Sequence, residues 1–196
     1  WGMADWHYGY GLPIGGVVAT DVEHGEQGGA ISPGAVGFDI NCGVRAVALN
    51  LEADDIPNLE KLARRLNGRI PAGGSGKGGI DLTESKLNLI LRGGLSELDS
   101  IDVEQHHATG TVESDGAFEV DELSISHRAK QRGMKALGTL GSGNHFLELQ
   151  RVSEIVDTET AQHWNLSENQ VVAMIHSGSR GLGHQVCSDH IHQLEL

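Results

Sequence analysis

Apolar positions along this chain follow two spacings, one helical and one strand-like, in irregular alternation. Leu59, Leu62, Ala63 and Leu66 fall at helical intervals directly after Pro57, which predicts an amphipathic helix over 58–66. TESKLNLILR, 83–92, predicts a second helix capped by Thr83, and a polar helix is expected over 121–137. GLGHQVCSDHIHQL, 181–194, predicts a closing helix. Short apolar runs predict strands: IGGVVAT at 14–20 and QVVAMI at 170–175 as buried ones, VRAVALNL at 44–51, and FLELQRV at 146–152. RIPAGGSGKGGID, 69–81, reads as a flexible glycine loop. The predicted class is α/β or mixed α+β, and the length suits one domain.

Glycine is the outlier in composition, with 28 residues, against an aromatic share of 4%. The formal net charge of −13 argues against simple non-specific nucleic-acid binding. Its distribution says more than its sum. Between Gly93 and His127 there is no Lys or Arg, while Glu97, Asp99, Asp102, Glu104, Glu113, Asp115, Glu119, Asp121 and Glu122 all fall there. That predicts a solvated acidic surface segment over about 93–127, or an adaptation to salt. The basic residues gather at Lys61, Arg64, Arg65 and Arg69, and again at Arg128, Lys130, Arg132 and Lys135. No apolar run approaches the ~20 residues that span a bilayer. Two cysteines make no disulfide framework, so a reduced, cytoplasmic protein is expected. The chain opens on WGMADWHYGYG without an initiator Met and stops at HIHQLEL inside a helical pattern, which leads to the expectation of truncation at both ends.

The chemistry-bearing residues cluster in four glycine-framed stretches: DWHYGYGLPIGG (5–16), GFDINCGVR (37–45), GSGNHFLE (141–148) and HSGSRGLGHQ (176–185). In the second, a thiolate and a carboxylate repel each other unless a cation lies between them, which a divalent metal held by Asp39 and Cys42 would supply. The alternative is a small buried cysteine beside a turn aspartate. In the third, a strand over 145–149 would place Asn144, Phe146 and Glu148 on one face and His145 on the other, as a nucleotide-reading face and a ligand. The alternative is a structural histidine beside a turn asparagine. In the fourth, an apolar strand ends at His176, and a Ser/Gly/Arg loop with Arg180 leads into a helix whose N-terminus suits a phosphate. The alternative is a tight turn with a solvated arginine. Neither the Walker nor the Rossmann pattern is present. His106 and His107 are expected to be exposed, His184, His190 and His192 to lie on a polar helix face, and Cys187 to be a core residue. Two His, one Cys and one Asp around one or two metal ions, beside an anion site, would suggest zinc on ligand softness alone.

In that order, DWHYGYGLPIGG, GAVGFDINCGVR, GSGNHFLE and HSGSRGLGHQV closely resemble the RtcB family of GTP-dependent RNA ligases, with the poorest agreement over 93–127. The resemblance implies an RtcB-like catalytic domain over 1–196 that joins RNA 3′-phosphate or 2′,3′-cyclic phosphate ends to 5′-hydroxyl ends, in tRNA splicing or RNA repair. It implies two manganese ions and GTP as cofactors, broken RNA or tRNA exon halves as partners, and an open place for an activating protein. It further implies Asp39, Cys42, His145 and His176 as manganese ligands with Cys42 bridging, Asn144 and Glu148 as guanine-nucleotide contacts, Arg180 as a phosphate contact, and Asp5 as an acidic residue near the active site. Manganese thereby replaces zinc as the expected metal. The family's guanylated histidine and a further metal-binding histidine lie beyond these motifs, and none of His184, His190 or His192 matches them. Two other readings are a metal-dependent phosphoesterase of the same fold and a non-catalytic remnant that binds metal or RNA ends.

Overall fold

A computed structural model describes residues 1–9, 11–26, 28–30, 32–72, 79–103 and 112–194, with the side chains of Ala4, Asp5 and Pro33 outside the description. It combines α-helices with two small antiparallel sheets, the mixed class expected. The chain divides into two compact units. The first comprises Trp1–Asn41, Leu82–Met134 and Ser179–Leu196, and the second Cys42–Asp81 and Lys135–Gly178.

The second unit is built on a three-stranded sheet in the order β3 (Gly43–Glu52), β5 (Gln170–Ser177), β4 (Phe146–Arg151). Both pairings are antiparallel, and β5 is central, which agrees with its nearly continuous apolar sequence. Val171 and His176 are buried and the rest of β5 is half-buried. His176 lies opposite Val44 on one side and Phe146 on the other, and Met174 opposite Ala46 and Glu148. Because side chains alternate along a strand, these residues share one face and Leu147 and Leu149 belong to the other.

Over that second face lies helix α2 (Leu59–Arg69), capped by Asn58, whose side-chain oxygen accepts from the Lys61 N–H at 2.8 Å. Leu59, Leu62 and Leu66 line an apolar groove of about 350 Å³ together with Leu140, Leu147 and Leu149. Lys61, Arg65 and Arg69 are exposed, along a stripe that turns from the side away from the leucines at Lys61 towards the edge of the leucine face at Arg69. A short helix, α5 (Thr158–His163), is capped by Asp157 and was not predicted.

The first unit contains the hairpin β1 (Gly2–His7) with β2 (Ile14–Gly16), the one-turn helix α1 (Pro33–Val36), the helices α3 (Glu84–Gly93) and α6 (Arg180–Leu194), and α4 (His127–Ala136) up to Met134. Thr83 caps α3 as expected, accepting from the Lys86 N–H at 3.3 Å. The expected buried strand over 14–20 shrinks to three half-buried residues. Val17 and Val18 are 50% and 64% exposed, so their apolar character does not come from a core position. The helix expected over 121–137 starts only at His127, after a 3₁₀ turn over Glu122–Ser124. Ser126 terminates the irregular stretch by accepting the Ala129 N–H on its hydroxyl at 3.1 Å. Leu87, Ile101, Ala129 and Cys187 are buried, and burial pushes the Cys187 thiol up. His184, His190 and His192 are exposed, and His106 and His107 lie outside the described residues.

A polar tie joins α4 to α6. The Ser126 hydroxyl donates to Asp189 Oδ2 at 2.6 Å, Gln185 Nε2 to Asp189 Oδ1 at 2.7 Å, and an Arg132 N–H to Gln185 Oε1 at 2.9 Å. The hydrogen bond from Ser126 is the main cause that holds the Asp189 carboxyl below its usual range. Gln185, Arg128 and His190 act in the same direction, against burial. A depressed folded-state pKa contributes stability above the unfolded value of about 3.9 and loses it as pH falls through the folded value. Asp189→Asn is therefore expected to flatten the acid limb of the stability curve below about pH 4, measured by urea unfolding across pH. Asn58→Ala should lower stability by about 1 kcal/mol through loss of the α2 cap, read in the same assay at neutral pH.

Candidate metal centre

Three strand ends meet at one edge of the sheet in the second unit. Cys42 immediately precedes β3, His145 immediately precedes β4, and His176 is the penultimate residue of β5. Since β5 runs antiparallel to both neighbours, its C-terminal end lies beside the N-terminal ends of β3 and β4, and residues far apart in sequence converge there. Asn41 enters the β3 end with φ +59°, a left-handed conformation that asparagine tolerates. Gly143, with φ +76°, makes the turn before His145.

The geometry is tight. Cys42 Sγ lies 3.0 Å from His176 Nε2 and 3.4 Å from His145 Nε2. The two imidazole centroids are 5.5 Å apart, and the ligand atoms of the three residues all lie within 4.8 Å of one another. His176 is 4% exposed, while Cys42 and His145 are half-buried. A thiol is a weak hydrogen-bond partner for a buried imidazole, whereas a divalent ion would be ligated by all three. One sulfur and two imidazole nitrogens at this separation fit a transition-metal ion, and among the described residues they form the one such group. Phe146 packs edge-on against His176 at 5.5 Å and 60°, which fixes the ring plane. Sequence reasoning gave Phe146 no such role. Its signal lay in the strand boundaries, since the first residue of one antiparallel strand faces the end of its neighbour.

Other candidates fall elsewhere. A strand over 145–149 was expected to set His145 on the face away from Asn144, Phe146 and Glu148. The strand begins only at Phe146, with Asn144 in a turn, so the two-residue period does not reach either residue. Asn144 is exposed and outside the strand face it was expected to share with Glu148. Glu148 does share the face of Phe146 and His176; it is exposed, and its Oε2 accepts from Gln150 Nε2 at 2.9 Å. Asp39 and Arg180 belong to the first unit. There Asp39 Oδ1 accepts the Arg180 backbone N–H at 2.7 Å and the Ser179 hydroxyl at 3.2 Å. The N-terminus of α6 thus already faces an anion, the chain's own carboxylate, as the helix dipole favours. Arg180 makes the bend with φ +53°. Asp5 lies in β1, with its side chain outside the description.

The family model described as "tRNA-splicing ligase RtcB" matches residues 1–196. The chain belongs to the RtcB family. It is 46% identical over 195 residues to the tRNA-splicing ligase RtcB of Methanococcus maripaludis and 45% identical over 195 residues to that of Aeropyrum pernix. It is also 45% identical over 201 residues to the RNA-splicing ligase RtcB of Mycobacterium tuberculosis. These matches cover 98% of this chain and 40%, 40% and 45% of the three relatives, so this RtcB-family chain spans less than half of their length. Among the described residues, no helix is long and apolar enough to cross a membrane.

Cobalt(II) titration offers a direct check on the thiolate. The wild-type chain is expected to develop a sulfur-to-cobalt charge-transfer band that Cys42→Ala abolishes, while Cys187→Ala retains it. An unchanged band in Cys42→Ala would remove the thiolate from the site.

Proposed function

We propose that this chain carries the metal-binding and nucleotide-binding part of an RNA ligase that joins 3′-phosphate or 2′,3′-cyclic phosphate ends to 5′-hydroxyl ends. The convergence of Cys42, His145 and His176 carries the reading, supported by a family match over the whole chain. Residues 1–196 form part of one ligase domain that acts on broken RNA or tRNA exon halves in the cytoplasm.

The donor set alone favours zinc; manganese follows from the family resemblance. Cys42, His145 and His176 would hold the metal, and the resemblance would add a second manganese ion and Asp39 as an oxygen ligand. Bound manganese would supply charge neutralisation for the phosphates of GTP and of the RNA end. The exposed Asn144 and Glu148 would offer an amide and a carboxylate to guanine or ribose. The resemblance would give Arg180 the role of a phosphate contact and Asp5 that of an acidic residue of the active site.

Ligation then proceeds in three transfers. A histidine attacks the α-phosphate of GTP, forming a phosphorus–nitrogen bond and expelling pyrophosphate. The GMP passes to the RNA 3′-phosphate, and the 5′-hydroxyl attacks that activated phosphate and expels GMP. Cyclic ends are first opened by water. The same resemblance assigns the guanylated histidine to none of the histidines of this chain. Residues 1–196 incubated with manganese and α-phosphate-labelled GTP are accordingly expected to show no covalent label after denaturing electrophoresis. A labelled band lost in a single His→Ala variant would overturn that assignment and identify the nucleophile within this chain.

A further inference from the structure

We infer that the exposed cationic stripe of α2 is a docking track for the sugar–phosphate backbone of a single RNA strand, separate from the metal centre. Lys61, Arg65 and Arg69 stand at i, i+4 and i+8 on that helix and form one exposed stripe. Arg64 adds a fourth cation, paired with Glu60 at 2.6 Å. Among the described residues the three stripe cations have no ion-pair partner.

Such a stripe weakens its own helix. Like charges four residues apart repel, and Lys61 in the first turn opposes the helix dipole, which favours only Arg69 at the far end. In a chain of net charge −13, an ordinary solvated helix face would interleave acids, yet none occurs between Lys61 and Arg69. The stripe is therefore better matched to an external polyanion than to solvent. Successive cations rise about 6 Å along the axis, comparable to the separation of neighbouring phosphates in an extended strand. The negative charge elsewhere is screened beyond about 8 Å at physiological salt, so the local field remains positive.

The track lies over the face of the sheet opposite His176, because the α2 leucines line one groove with Leu147 and Leu149, whereas His176 shares its face with Phe146. RNA held there would be gripped along its body and not at the end undergoing reaction. The choice of RNA among polyanions rests on the proposed ligase function; the stripe itself does not.

Fluorescence anisotropy with an end-labelled single-stranded RNA oligonucleotide, without GTP or metal and across a salt series, tests this. K61Q/R65Q/R69Q is expected to bind at least tenfold more weakly near 0.1 M salt and to lower the slope of log K against log salt by about 2, at roughly 0.7 per phosphate contact. R65K/R69K should retain the wild-type slope, because a backbone track reads point charge. Glutamine is a good helix former, so circular dichroism should show the fold intact in both. An unchanged slope in the glutamine variant, or an equal loss in the lysine variant, would overturn the proposal. Because no joinable ends are present, failure here leaves the ligation chemistry untouched, and failure of ligation leaves the track.

Discussion

The antiparallel pairing of β5 with both β3 and β4 is the constraint on which the candidate site depends. Strand β5 carries His176 at its end, and its two neighbours start where it stops, so Cys42 and His145 arrive at the same sheet edge without a dedicated scaffold loop. A shift of one residue in either pairing would send His176 to the opposite face and separate it from the sulfur. The register is held by the apolar alternation that places Leu147, Ile175 and Val47 on one side and leaves Phe146 and His176 on the other. The hydrophobic pattern and the metal chemistry are thus specified by the same residues.

The sequence makes the sheet and its ligands legible because each signal is strong and local. The runs VRAVALNL, FLELQRV and QVVAMI are rich in aliphatic residues, and Asn58 and Thr83 cap helices whose apolar positions repeat every three to four residues. Cys42, His145 and His176 stand out as rare residue types in glycine turns. Local pattern misleads where exposure is set by tertiary context. Val17 and Val18 look like core residues and face solvent, while the GMADWH strand shows no clean alternation and is held by pairing with β2. Helices as short as α1 and α5 have too few turns to show a period. His145 precedes its strand and so lies outside the two-residue alternation from which its face was expected.

The charge pattern divides the molecule in the same physical terms. Acidic residues crowd 93–122, where Lys86 and Arg92 of α3 offset two of them through contacts to Asp102 and Glu122 at 3.1 Å. Apart from Arg45 and Arg151 on strands, the described cations outside that region are placed on helices, some bound internally, such as Arg132 to Gln185, and some exposed on α2. An acidic protein can in this way present a positive surface over a short distance, since fields in salt water act locally.

The sequence separation of the three ligands has a consequence for biogenesis. Cys42 and His176 are 134 positions apart, and Cys42 and His145 are 103 apart. A site assembled from such distant segments cannot exist until the central strand has been made and inserted between its neighbours, the last strand of the sheet to be synthesised. A nascent chain still lacking β5 has a thiol and an imidazole but no joint cage for a cation. Metal capture at this candidate site would therefore follow completion of the sheet, and the ion would act as a latch that closes after the strands have found their order.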